Sequence, residues 1–308
     1  MKISKTRKII RNQIKKILLE QEYPKVDVVG DEKGIEDLDS GGFRLGTVEF
    51  EGAQTKKWKP AKYYKDITQE SKDELWKLES PIPYIYDDMK AYMGKKAFIK
   101  KFPDGGKELW ETSPKLKKVI DRFGSVPAPA ESFEKCIGTP TIGVGHAIKT
   151  PEEFSMYSLH NIFEICTKAN IEANTQISLD AFLMEDKDIK EIFYEDLIIH
   201  MQFKSRITKP ITQSMFDALT SLAFNSGWEA KHPEKGYLQA IEYIIRLINR
   251  GRYKAAQNVL KGIAVTSKGK RLQNLIDRRA MESELFGKDG IKPPKKTKAT
   301  KVAGTEDK

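Results

Sequence analysis

Two stretches of the chain carry side chains whose types and spacing suit chemistry. "LWKLESPIPYIYDD" puts Glu79 at the end of an apolar helical run and Asp88 nine positions later, past a Pro-bounded extended segment. With Leu78 and Trp76 at its flank, Glu79 is expected to be partly desolvated, a setting that favours a protonated carboxyl, whereas Asp88, beside Asp87 on a loop, stays solvated and ionised. An acid and an ionised base on either side of one bond are what cleavage of a glycosidic linkage uses. The second stretch, "GTPTIGVGHAI" at 138–148, predicts a strand. Gly143 and Gly145 leave its backbone open to close approach by a sugar ring or a water, and Ile142 and Val144 turn to the core. The Thr141 hydroxyl can both donate and accept, which suits it to orienting a water. The competing readings are structural: a solvated helix end and turn for Glu79, Asp87 and Asp88, and a bulge or bend for the two glycines.

These residues need elements to hold them. The helical period emerges in "DITQESKDELWKLES", with polar cap candidates before it, and Pro81 and Pro83 stop that helix. Residues 89–137 are lysine-rich and include "SVPAPAES", an Ala-Pro stretch expected to act as a semi-rigid connection. Helices are predicted over 151–169, 178–204, 211–225, 234–249, 252–261 and 268–286. In "MFDALTSLAFNSG", Phe216, Leu219, Leu222 and Ala223 share one face and Gly227 is placed to cap the end, so this is the expected central core helix. Residues 1–24 read as a short amphipathic helix, and 43–50 alternate as a strand does. The organisation expected is an arm or small module over 1–65, a main domain over 66–287 with 89–137 inserted into it, and a disordered basic tail over 288–308.

Composition narrows the partners. The chain has 308 residues, is 39% hydrophobic and carries a net charge of +10, enough for a real core and for attraction to polyanions. Its lysines lie mostly in a tail, an arm and an insertion, without the interleaved aromatics of a nucleic-acid surface, so no specific nucleic acid is expected. No apolar run is long enough to span a bilayer, and Lys15 and Lys16 interrupt any signal-peptide core. Cys136 and Cys166 lack metal spacing and are expected to be free thiols, and no His and carboxylate cluster has ligand spacing, so neither metal nor cofactor is expected.

In order, "KLESPIPYIYDD", "TIGVGH", "EIFYEDL", "ITQSMFDALTSLAFNSG" and "KRLQNLIDRRAMESELF" resemble the phage-type lysozymes, or endolysins, over about residues 70–287. The resemblance implies an α+β, mainly helical, two-lobed lysozyme-like fold with a small β-sheet lobe and a helical C-terminal lobe. It matches Glu79 to the general acid, Asp88 to the water-orienting carboxylate and Thr141 to the active-site threonine. It also implies an ion pair between His146 and Asp196, and a polar substrate contact from Asn225, for which a capping Asn is the alternative. Gly143 and Gly145 then serve substrate approach. Ser80 stands where the family has Gly, and the 89–137 insertion separates Asp88 from Thr141. By local spacing before Thr141 the family's Asp falls at Lys135, so its neighbour Glu134 is the alternative carboxylate. Arg278 and Glu282, four apart, suit a helix-stabilising pair.

The function implied is hydrolysis of the β-1,4 bond from N-acetylmuramic acid to N-acetylglucosamine in peptidoglycan, with inversion, which places the two carboxyl groups roughly 6.5–9.5 Å apart. Two other readings stay open: a lytic transglycosylase, and a non-catalytic glycan-binding component of a virion or injection device. With no signal peptide expected, synthesis in the cytoplasm and delivery to the cell wall by a holin, a tail or a secretion machine follow. The N-terminal arm is the candidate dock for such an apparatus.

Overall fold

The computed structural model describes residues 58–90, 92–102, 111, 113–163, 179–231, 236, 238–267 and 270–293. The chain divides into two compact units, 1–49 and 50–308, and every described residue falls in the second. The helix expected over 1–24, the strand over 43–50, Cys166 and most of the basic tail lie outside the described residues.

After a short strand β1 (Lys59–Pro60) comes helix α1 (Gln69–Glu79). Thr68 caps it by accepting from the Ser71 N–H, and the buried Asp217 carboxylate takes the Thr68 hydroxyl at 2.5 Å and the Ser71 hydroxyl at 2.8 Å. The helix start is thus tied to a residue far along the chain. Its end comes at Glu79, where Ser80 adopts φ 55°, ψ 116°, and Pro81 prevents continuation. A side chain at positive φ costs about 1–2 kcal/mol, against about 0.5–1 kcal/mol of chain entropy for a glycine. Ser80→Gly is therefore expected to stabilise the domain by about 0.5–1 kcal/mol in urea unfolding.

Strand β2 (Ile82–Asp87) pairs antiparallel with β3 (Pro140–Gly143), which pairs with β4 (His146–Ala147). The single strand expected over 138–148 is instead a hairpin turning at Val144 and Gly145, made possible by positive φ at Gly143 (66°) and Gly145 (81°). Ile142 and Val144 do enter the core.

The insertion folds against this sheet. Helix α2 (Lys95–Lys101) with its C-cap Phe102, and helix α3 (Pro114–Phe123), supply Phe98, Phe102, Leu116 and Val119, which pack on Ile82 and Tyr84 of β2 as a second hydrophobic cluster. The "VPAPA" run at 126–130, expected to be a semi-rigid connection, is paired with the sheet. Ala130 donates to Ile85 O, Asp87 donates to Ala128 O, and Val126 exchanges both hydrogen bonds with Met93.

The remaining elements are helical apart from small strand pairs. Helix α4 (Pro151–Met156) is shorter than the predicted 151–169 and passes into a 3-10 turn at Ser158–His160. Helix α5 (Asp186–His200) starts later than predicted, behind a 3-10 turn at Leu179–Phe182. Strand β5 (Pro210–Ile211) pairs with β1 and leads into α6 (Gln213–Ser226), followed by α7 (Ala240–Asn249), α8 (Tyr253–Leu260), the pair β6 (Thr266–Ser267) and β7 (Lys270–Arg271), and α9 (Gln273–Gly287). Helix α6 is the centre of the main core: all of 214–223 is buried, with α9, α7 and α5 against it. Thr212 caps its start, and Gly227, at φ 92°, donates to Ala223 O at its end. Among the described residues no helix is long and apolar enough to cross a membrane.

Candidate active site

The antiparallel register sets Thr141 directly opposite Tyr86. Ile82, Tyr84 and Tyr86 of β2 all pack toward the cluster supplied by the insertion, and Asp88 lies in the turn just past the strand end. Glu79 sits at the C-terminal end of α1, and burial, followed by the charges of Tyr92, Asp88 and Glu79, pushes the Tyr86 phenol far up. Tyr86 is thus within electrostatic reach of both carboxylates. Glu79 precedes the start of β2, Asp88 follows its end, and Thr141 lies opposite Tyr86 between them.

Each is held by a distinct device. Glu79 Oε1 accepts from Arg278 Nη1 at 2.5 Å, across 199 positions of chain. Asp88 is exposed, and its Oδ1 accepts from the Thr139 N–H at 2.7 Å. Buried Thr141 donates through Oγ1 to Thr139 O at 2.9 Å, which leaves the hydroxyl oxygen's lone pairs to accept. Asp87, in contrast with its neighbour, is buried and structural: it accepts from the N–H groups of Ile137 (2.7 Å), Gly138 (2.9 Å) and Met89 (3.1 Å). Burial works to raise its carboxyl, but those backbone donors and Lys90 outweigh it and hold the group below the usual carboxylate range. Glu134, the alternative carboxylate, is exposed in the turn before Cys136. Cys136 is a half-buried free thiol.

The glycines divide. Gly145 is exposed with open space where a side chain would be, whereas Gly143 is buried and a methyl group there would meet Ile189 Cγ2 of α5 at 3.1 Å. Asn225 is exposed near the end of α6 and accepts from Arg279 Nη2 at 2.6 Å.

Arg278 belongs to a buried charge network that the local sequence does not announce. Its Nε reaches Glu282 Oε1 at 3.1 Å and its Nη2 reaches Ser221 O at 3.1 Å, while the Ser221 hydroxyl donates to Glu282 Oε1 at 2.7 Å. Arg279, fully buried, lies 2.8 Å from Glu282 Oε2 without hydrogen-bond geometry. Burial pushes the Glu282 carboxyl up, against the pull of Arg279 and Arg278. A cavity of about 210 Å³ lies beside this network, lined by Leu75, Leu78, Arg278 and Glu282 among others. The spacing of Arg278 and Glu282 had a sufficient local explanation, which concealed the reach of Arg278 to Glu79.

His146 Nδ1 lies 3.0 Å from Asp196 Oδ1, and its Nε2 lies 3.2 Å from Glu153 Oε1, a partner that sequence reading missed. Burial alone would lower the imidazole, but hydrogen bonds and charge from the two carboxylates overcome it and raise the pKa to about 9. Folded His146 therefore keeps its proton where the unfolded chain, with a value near 6.5, has lost it. The stabilisation is complete below about pH 6.5 and disappears as pH rises through about 9. At the acid end, Glu153, held low by His146 and the Lys149 N–H despite its burial, loses its share as pH falls. Urea unfolding between pH 6 and 9.5 is expected to show a decline of about 3 kcal/mol that His146→Gln abolishes.

Among the described residues no group of three or more His, Cys, Asp or Glu side chains is placed to hold a metal ion.

Comparison with known proteins decides the family. The family model described as phage lysozyme matches residues 128–282, half of the chain. The chain belongs to the phage lysozyme family. The matched stretch contains Thr141, His146, Asp196, Asn225 and the Arg278–Glu282 network, whereas Glu79 and Asp88 precede it. Solved structures similar to it include the endolysin from Escherichia coli O157:H7 phage FAHEc1, at 16% identity over 72% of this chain and 94% of that one, with a TM-score of 0.39. The muramidase domain of SpmX from Asticaccaulis excentricus aligns at 18% identity over 72% of this chain and 98% of that domain, TM-score 0.39. A point mutant of P22 lysozyme aligns at 19% identity over 72% of this chain and 99% of that one, also with a TM-score of 0.39. No curated protein matches.

Proposed function

We propose that this phage lysozyme family member hydrolyses the N-acetylmuramic acid to N-acetylglucosamine β-1,4 bond of peptidoglycan, with inversion at the anomeric carbon. The observation that supports the reading is that Thr141 lies opposite Tyr86 in the sheet, while Glu79 and Asp88, which flank that strand in the chain, both act electrostatically on Tyr86. Family membership supports the coarser part, a lysozyme-type glycoside hydrolase acting on peptidoglycan. With Oε1 bound to Arg278, Glu79 presents Oε2 as the oxygen that protonates the leaving group. Asp88 Oδ1 is occupied by the Thr139 N–H, so Oδ2 takes a proton from the attacking water. That water's other hydrogen is accepted by Thr141 Oγ1, whose own proton is committed to Thr139 O.

Gly145, open and unobstructed, and Asn225, beside Arg279, serve as further substrate contacts in this reading. A net charge of +10 suits adhesion to an anionic envelope, and delivery to the wall by a phage or injection system is part of the same proposal.

The test is digestion of purified sacculi with analysis of the products by mass spectrometry. New hydrolysed reducing ends are expected, and proton NMR taken before mutarotation should show them in the inverted configuration. Termini in the 1,6-anhydro form would assign a transglycosylase instead, and intact sacculi would leave a binding protein.

A further inference from the structure

Both junctions of the insertion border the candidate site. Met89, Tyr92 and Ile137, at the start and end of the insertion that follows Asp88, are 47%, 50% and 75% exposed. Three observations join them. A Cβ on Gly138 would lie 2.0 Å from Asp88 Oδ1 and 2.3 Å from Met89 Cγ, so Met89 and Asp88 both lie over Gly138, with Ile137 adjoining. The ionised Asp87 carboxylate binds the N–H groups of Met89, Ile137 and Gly138 together, fixing both loop strands from beneath. Tyr92, three residues from Met89 in the chain, is followed directly by Met93, which exchanges both backbone hydrogen bonds with Val126. Met89 and Ile137, at the two junctions of the insertion, therefore border Asp88 on a loop pinned by Asp87, and Tyr92 follows Met89 within the same insertion.

We propose that Met89, Tyr92 and Ile137 form a shelf that receives the glycan on the Asp88 side of the scissile bond, with a sugar's apolar C–H face against Tyr92 and acetamido methyl groups against Met89 and Ile137. The inference rests on the muramidase reading, because it is that reading which runs a polysaccharide past Asp88. A chain of sugars longer than the cleaved pair must lie over whatever borders Asp88, and rigid aromatic and aliphatic side chains around a few fixed polar groups are how protein sites bind ligands of mixed polarity. The occupant is the glycan because Met89 and Ile137 border the site's carboxylate. Fixing the loop through Asp87 lowers the ordering cost of binding.

The test uses the full chain carrying Glu79→Gln, which binds without turnover, and peptide-free glycan strands prepared from sacculi as the probe, measured by calorimetry. Adding Tyr92→Ala is expected to weaken binding by about fivefold, and Tyr92→Ala with Ile137→Ser by more, from lost apolar contact. Tyr92→Phe should bind as the parent does. Thermal melts of each variant check that the fold is retained, which the exposure of these side chains favours. Unchanged affinity in the double variant, or no glycan binding by the Glu79→Gln chain, overturns the shelf. Hydrolysis is scored separately, as reducing ends released by the unsubstituted protein. If none appear while glycan binding still depends on Tyr92, the muramidase reading falls and the shelf stands. If they appear and Tyr92 has no influence, the reverse holds.

Discussion

Glu79→Gln is expected to reduce the release of reducing ends from sacculi by about a hundredfold or more, the usual contribution of a positioned general acid. The substitution is chosen for what it preserves. A Gln oxygen still accepts from Arg278 Nη1, so α1 keeps its end and Arg278 its partner, while the group that would give a proton to the leaving oxygen is gone. Circular dichroism should be unchanged and the melting temperature only slightly lower. A variant that degrades sacculi at the parental rate means that some other group is the acid.

The second large effect concerns stability. Glu282→Ala is expected to destabilise the domain by about 3–5 kcal/mol in urea unfolding, and Glu282→Gln by nearly as much. Glu282 contributes little net free energy, because burial raises its carboxyl and offsets much of what the two guanidinium groups return. Its removal is costly for another reason. Arg279 has no exposed surface, and without Glu282 its charge keeps the full desolvation penalty with only the Asn225 oxygen as a neutral partner. Arg278 would lose its second carboxylate as well and be left with Glu79 alone, so activity should fall along with stability. A loss below about 1 kcal/mol would show that water entering the neighbouring cavity screens the pair.

Where signals were local, the sequence was readable. Helix α1 begins at a Thr cap and ends at a Pro-enforced stop, and both lie close to the residues that open and close it. The central helix α6 combined an apolar face with a capping Thr and a terminal Gly, and it stands as expected. The 138–148 hairpin was harder, because alternating glycines fit a strand and a two-residue turn equally well until the φ of Gly145 selects the turn. In the insertion the lysines dominated the reading, although Phe98, Phe102, Leu116 and Val119 carried a core of their own. The link from Arg278 to Glu79 joins residues 199 positions apart and left no trace at either end. Around the candidate site, the helix end that carries Glu79 and the extended run that leads to Asp88 were legible, whereas the Arg278 guanidinium and the Thr139 backbone groups that hold Glu79, Asp88 and Thr141 were not.

The proline-bearing run at 126–130 has one more implication. Ala128 O and Ala130 N face β2, which turns residues 127 and 129 outward, and both are prolines. Their ring nitrogens carry no hydrogen, so the outer margin of the sheet is buried without stranding an amide donor, and the Pro127 carbonyl is met by the Tyr84 hydroxyl at 2.8 Å. A further strand has no proton to accept at either position. The appended segment therefore closes the sheet on that side, and a long graft could enter this scaffold without creating a sticky border for neighbouring molecules.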